Sequence, residues 1–528
     1  MNQPTQAAAS LQSRGFFSWR TLRRSLIGLA ILVTVVGLLL TFENVRGKRM
    51  WNEHKRQLQA QGEKFSIGEL APPPLPDDQN FALTPLLKPA LDFTRETGHA
   101  VWRDSNALNR LNLLRPDQFS DSAETNRLSL GNLDEGTLAD LEACARFYRG
   151  NSNYPQATSA VSAAQQILIA LGKVDPEIAE LEKAAAARPL SRFPIDYNYE
   201  PPFAILLPHL QAMRGLCTLL QMRSAAALEA GLTNRAFSEL KLGMRLSDSI
   251  SQEPIVIDHL VRVAMVGINL QTLREGLARR AWSDAHLAAL EKELGAIDLL
   301  AEYKGAIRGE RAFGVGTLDY LRRQRFQLRL SDITGDSTDD MRTMSLMPAG
   351  WVYQNMLTIS RMHQDFSLAA VDEKAHRVLV NRVAALDQET HQLGQSRLRP
   401  YSFIAALLFP SLSKATIKTA KMQTLVDVAQ IACALERYRL ANGNYPEALE
   451  VLEPKFIAKL PHDVINGQPL KYRRTDPPSP GSGATGGSFI LYSVGWNESD
   501  DGGSVVFSKD GKNINWKEGD WVWAGPTK

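Results

Sequence analysis

Apolar and polar positions follow three successive regimes along the chain. The first is a run from Ser25 to Phe42 that holds 18 residues without a charge. At about 1.5 Å per residue, a helix of that length nearly crosses a hydrocarbon layer of about 30 Å. Trp19, Phe16 and Phe17 precede it where interfacial aromatics belong, and Arg20, Arg23 and Arg24 keep the helix from sliding inward. The pattern predicts an uncleaved single span over 23–42. A cleaved signal would have a shorter apolar core and small residues at the cut, whereas Glu43-Asn44-Val45-Arg46 follows here. Beyond it come a polar stretch, Lys48–Gly62, and a proline run, Ala71–Asp78, which together read as a stalk and stiff linker over 43–78.

The second regime has helical period. Leu206, Leu210, Met213, Cys217 and Leu220 keep one face apolar, and Phe237, Leu240 and Met244 repeat the pattern after a Gly231 turn. Ile257, Leu260, Val261, Ala264 and Ile268 repeat it again after Pro254, and Leu287, Leu290 and Leu294 follow the Trp282-Ser283-Asp284 corner. Short turns between such stripes predict helical hairpins, without the fixed 34-residue period of tetratricopeptide repeats. Helical text continues over 353–393 beyond the polar segment Leu330–Pro348, and a break at Arg399-Pro400 closes a helical domain over 79–400 that is expected to fold alone.

The third regime mixes a long helix with strands. Leu425, Val428, Ile431, Ala432, Leu435 and Tyr438 share one face of a helix over 416–440 that Asn442-Gly443 caps. A short helix at Glu447–Leu452 and strands at Leu470–Arg473, Phe489–Val494 and Ser504–Phe507 follow. The fold class predicted for the whole is mainly α: a transmembrane helix, an irregular helical-hairpin domain and a C-terminal α+β domain over 413–528.

Composition narrows the function. The 528 residues carry 60 Lys and Arg against 57 Asp and Glu, a net charge of +3 that leaves no basic excess for nucleic acid. Cys144, Cys217 and Cys433 are scattered in helical text and read as core residues, not as a disulfide framework. No His-Glu-x-x-His occurs, and His209 and His259 read as local histidines. Asp298 and Glu302 stand four apart and could form an acid/base pair, although Lys304, Arg308 and Arg311 make surface pairing the simpler reading. Arg322, Arg323, Arg325 and Arg329 form a basic cluster that reads as a solvated helix face, with an anionic polymer or headgroups as the alternatives. Gly481–Gly486 matches G-x-G-x-x-G but follows prolines instead of a strand, and Asp336–Asp340 lacks EF-hand spacing.

Three C-terminal blocks, "ALERYRLANGNYPEALEVL", "LPHDVINGQPLKYRR" and "FILYSVGWNESDDGG", occur in the order and with spacings similar to those of the type II secretion major pseudopilin. The C-terminal domain resembles that family's soluble domain. The resemblance implies exposure on the far side of a bacterial inner membrane, with a cytoplasmic tail over 1–22 and the bulk of the chain periplasmic. Charge counts about the span, four against five, do not decide this orientation. The family's polymerising helix has as its counterpart only Tyr401–Leu412, too short to span, so a pseudopilin-like head on a different anchor is expected. The resemblance also implies calcium in the C-terminal loop, where Asn497, Glu498, Ser499, Asp500 and Asp501 crowd oxygen donors, Gly502 and Gly503 allow a turn, and Asp520 could approach. Alternatively Trp496, Trp516, Trp521 and Trp523 anchor this end by packing while the acids face water.

The sequence therefore points to a membrane-anchored envelope protein whose helical domain contacts other envelope or secretion-system proteins and which carries no catalytic or cofactor-binding residues. An anchored hydrolase of envelope polymers built on Asp298 and Glu302, or a sensor binding a ligand in a helical groove, are the alternatives.

Overall fold

The computed structural model describes residues 19–96, 99–114, 130–323, 347–395, 402, 409–475, 488–511 and 513–523. Phe16, Phe17, Arg325, Arg329, Asp336–Asp340, Arg399-Pro400 and Gly481–Gly486 lie outside them. The chain is mainly α, about 60% helical with few strands.

Helix α1 (Trp19–Ala60) runs 42 residues without interruption, and Gly62 ends it by taking a left-handed φ of 87°. Its first half is bare apolar surface: Leu26, Ile31, Leu38 and Phe42 are each more than half exposed. Its second half is a core element, because Trp51 and Leu58 are buried together with Phe65. The polar stretch after the span is therefore packed into the body and does not stand free as a stalk. The proline run also lies on the body, where Arg192 Nε donates to the Pro72 carbonyl at 2.6 Å.

The body is built from α2 (Asp175–Ala187), α3 (His209–Glu229), α4 (Thr233–Asp248), α5 (Val256–Ala278), α6 (Asp284–Leu294), α7 (Leu299–Arg323), α8 (Ala349–Met362), α9 (Val380–Gln395) and α10 (Pro410–Asn442). The stripe predicted for α6 is its observed buried face; on α4 Leu240 and Met244 are buried and Phe237 half-buried, while α3, which starts after Leu206, is buried on nearly all sides. On α5 the phase differs: Ile257 is half exposed, while Val256, His259, Val263, Val266 and Leu270 are buried. This helix is covered on nearly all sides, so its apolar residues fill the whole circumference and no single stripe marks the core. Its apolarity and 23-residue length would also suit a membrane span, but most of that window is buried inside the protein.

The text over 353–393 is not one helical stretch. After α8 a five-residue π-turn leads into a small antiparallel hairpin, β3 (Val371–Asp372) with β4 (Arg377–Val378), before α9; an earlier hairpin pairs β1 (Phe93–Glu96) with β2 (His99–Trp102). At the C-terminus β5 (Lys471–Thr475), β6 (Ser488–Ser493) and β9 (Trp521–Trp523) form an antiparallel sheet in the order β5-β6-β9, with Tyr472 opposite Leu491 and Leu491 opposite Trp523. A second ribbon pairs β7 (Val505–Phe507) with β8 (Ile514–Gly519). The expected left-handed cap is present at Gly443, φ 82°.

Helix α10 does more than cover this sheet. Leu425, Val428, Ile431 and Leu435 share one apolar cluster with Leu270, Leu287 and Leu290 of the helical body and with Leu491 and Trp523 of the sheet. A second cluster joins Trp51 and Phe65 to Tyr303, Met356, Leu412, Val464 and Trp521. Apolar packing is therefore continuous between the segments 79–400 and 413–528.

Candidate functional site

A cleft of about 540 Å³ opens between α2, α4, α5 and the end of α6, lined by Glu182, Ser238, Lys241, Met244, Arg245, Asp248, Arg262, Glu293 and Ile297. Helical spacing places Lys241, Arg245 and Asp248 on the same side of α4. Most of the charges are matched: Lys241 pairs with Glu293, Ser238 donates to Glu182 at 2.6 Å, and Arg245 donates to the carbonyls of Arg188, Pro189 and Leu190. Arg262 differs because it is only 2% exposed. Its Nε and Nη2 grip Glu302 at 2.5 and 2.8 Å, and its Nη1 is buried with no hydrogen-bond partner. Such a donor is costly in the closed state and suits a ligand oxygen.

The proposed acid/base pair does not assemble. Asp298 is half exposed and caps α7, accepting from the Ala301 amide at 2.9 Å, while Glu302 faces inward to Arg262. One carboxylate serves the helix end and the other serves a buried arginine, so the two are engaged by different partners. Lys304 is paired with Glu373, and Arg308 and Arg311 both hold Glu63 just beyond α1, tying α1 to α7.

A different set of acids gathers where α5 begins. Asp258 is fully buried, Glu253 nearly so, and Glu310 approaches from α7; the Tyr197 hydroxyl donates to Glu253. Burial, reinforced by the neighbouring acids, pushes the Asp258 carboxyl up to about 8. Burial likewise lifts Glu253 and Glu310 to about 7 each. Sequence reasoning missed these residues. The available signal was Glu253 and Asp258 flanking the apolar Pro254-Ile255-Val256-Ile257, which reads as a helix start with ordinary first-turn acids. His209 and His259 are buried, and burial holds both down near 3, as neutral packing residues. The three cysteines are buried thiols.

At the C-terminal loop the predicted ligands are each engaged by protein groups. Asp520 is 2% exposed and accepts the backbone amides of Asp501, Gly503 and Ser504 at 3.2, 2.6 and 3.3 Å. Asp500 accepts the Tyr492 hydroxyl at 3.0 Å and sits 3.2 Å from Lys471 Nζ. Asn497 donates to Asp501 at 2.8 Å, and its own oxygen accepts the Ser499 amide. Among the described residues no group of three or more His, Cys, Asp or Glu is placed to hold a metal ion. A calcium ion here would have to displace Lys471 and reorganise these bonds. Trp496, Trp521 and Trp523 are buried, with Trp496 stacked on Trp521, while Asn497–Asp501 face solvent.

Comparison with family models, with curated proteins and with solved structures finds no match to this chain. The likeness of the C-terminal region to the pseudopilin rests on its three sequence blocks alone.

Proposed function

We propose that the chain is a single-pass protein of the bacterial inner membrane, N-terminus inside, whose helical body and pseudopilin-like C-terminal region lie in the periplasm and contact envelope or secretion-system proteins. One observation carries this reading: α1 is a single helix whose first half is bare apolar surface and whose second half is core. Water would make that first half costly, since roughly 25 cal/mol is lost for each Å² of exposed apolar surface, and a bilayer removes the cost. The periplasmic side follows from the pseudopilin likeness.

The test is a cysteine at Lys455, an exposed position on the C-terminal region. The native thiols are all buried and give little background. In cells made permeable only at the outer membrane, Lys455→Cys should react with an impermeant maleimide. Reaction only after lysis of the inner membrane reverses the orientation, and recovery of the chain in the soluble fraction ends the anchor reading. The pseudopilin likeness also carries calcium at Asn497–Asp501; a full-length chain whose unfolding midpoint is unchanged by saturating calcium removes it.

A second reading, a ligand-binding sensor, is favoured by the cleft and by Arg262 Nη1. A small carboxylate should then raise the unfolding midpoint of the full chain, and Arg262→Met should erase the rise.

A further inference from the structure

The helices that leave α1 have a fixed register against it. Gly350, in the first turn of α8, packs on the backbone of Glu43 and Asn44, and its amide donates to Asn44 at 2.6 Å. Ten residues later Ser360 meets His54 at 2.9 Å, so α8 runs parallel to α1 and away from the apolar half. Helix α7 runs the opposite way: Arg311 reaches Glu63, Gly314 faces Ile359, and Arg322 lies 5.0 Å from the Tyr353 ring centroid. The start of α8 and the end of α7 therefore converge on the first two turns of α1 beyond Phe42. At about 1.5 Å per residue, Arg49 lies roughly 10 Å past Phe42, at the outer edge of a headgroup layer about 5–8 Å thick and within reach of it for a long basic side chain.

The chemistry at this level is that of an interface. Trp351 and Tyr353 are half-buried there, and Lys48 and Arg49 are exposed with no carboxylate partner among the described residues. Arg322 and Arg323 also lie there, but Asp319 and Glu200 balance their charge. Aromatic rings favour the membrane interface, and cations within a Debye length of about 8 Å are drawn to anionic lipid.

We infer that the body rests directly on the bilayer through a foot made of the α1 exit, the start of α8 and the end of α7, with Lys48 and Arg49 against anionic phospholipid headgroups and Trp351 at the interface. This rests on the reading of α1 as a membrane span. The foot gives Lys48 and Arg49 a lipid surface to face, whereas Arg46 is paired with Glu43, Arg56 with Glu53, and Lys55 lies over the Phe65 ring farther along α1.

The full chain is placed in nanodiscs of phosphatidylcholine, with or without phosphatidylglycerol, and with lipids brominated near the headgroup. Emission quenched in the parent should fall in Trp351→Phe by the share that Trp351 contributes. Phosphatidylglycerol should raise the unfolding midpoint by about 2 °C, and K48E/R49E should abolish that gain while the exposed K48Q/R49Q variant keeps the fold and loses most of it. An unaltered quenched fraction in Trp351→Phe, or equal midpoints of the parent in both lipids, overturns the foot while the anchor stands. A chain that fails to enter the discs overturns both.

Discussion

Asp258 is fully buried with Glu253, Glu310 and Tyr197 as its polar neighbours, and the Arg192 charge acts on Glu253. Its folded-state pKa is raised, so the folded state holds the proton more tightly than the unfolded chain does. The stability this contributes is complete below the ordinary carboxylate range and is lost as pH rises through about 8. Thermal midpoints should therefore drop between about pH 4 and about pH 8 and level off above that, and Asp258→Asn, which cannot ionise, should reduce the drop. An identical pH profile in both proteins would show that the carboxyl is solvated. Glu302 makes the opposite case. Removing it by Glu302→Ala leaves Arg262 buried with only Asp248, at 3.6 Å, as a counter-charge, at a cost of about 3 kcal/mol in denaturant unfolding. Replacing both partners at once, with Arg262→Met and Glu302→Leu, should cost much less. Neither residue's role was legible in sequence. Spacing shows which residues share a face of one helix, whereas the partner of Glu302 lies forty positions away on another.

Helix α1 was legible, since eighteen uncharged residues leave little alternative, but its continuation into the core was not. The text after Phe42 is polar on most positions, and only Trp51 and Leu58, seven apart on one face, carry the burial. A glycine pair supplies the rest of the fit. A side chain at Gly350 would strike the Glu43 carbonyl at 2.3 Å, and one at Gly47 would strike the Gly350 carbonyl at 2.4 Å. The two helices thus approach through their backbones, and Gly350→Val should cost about 2 kcal/mol or more and loosen α8 from α1. Hydrogen exchange along α8 would report it, and unchanged protection there would refute the close-approach account. The C-terminal strands were read nearly in place because period-two text between turn residues is a local signal. The β8–β9 segment was missed because Asn515, Lys517 and Glu518 break its apolar pattern, while Asp520 joins it to the loop only in space. Asp520→Ala should free three backbone amides there and lower stability by about 2 kcal/mol or more, measured by denaturant unfolding of the full chain.

At the scale of the molecule, α10 is the shared column: the α5–α7 side of the body and the β5-β6-β9 sheet both bury apolar residues on it. A fragment spanning 79–400 should consequently lack a cooperative unfolding transition and aggregate, and a sharp calorimetric transition from that fragment would show that the body closes without α10. The helical stripes made the hairpins visible, but nothing local says that a helix with its own cap and its own sheet also completes someone else's core. Seen in time instead of space, the same column sets an order of events. The ribosome delivers α1 first and α10 after more than three-quarters of the chain, so most of the body is made long before it can close. Throughout that interval the faces of α5, α6 and α7 that await α10 are bare, and the protein depends on whatever shields them until residue 442 has emerged.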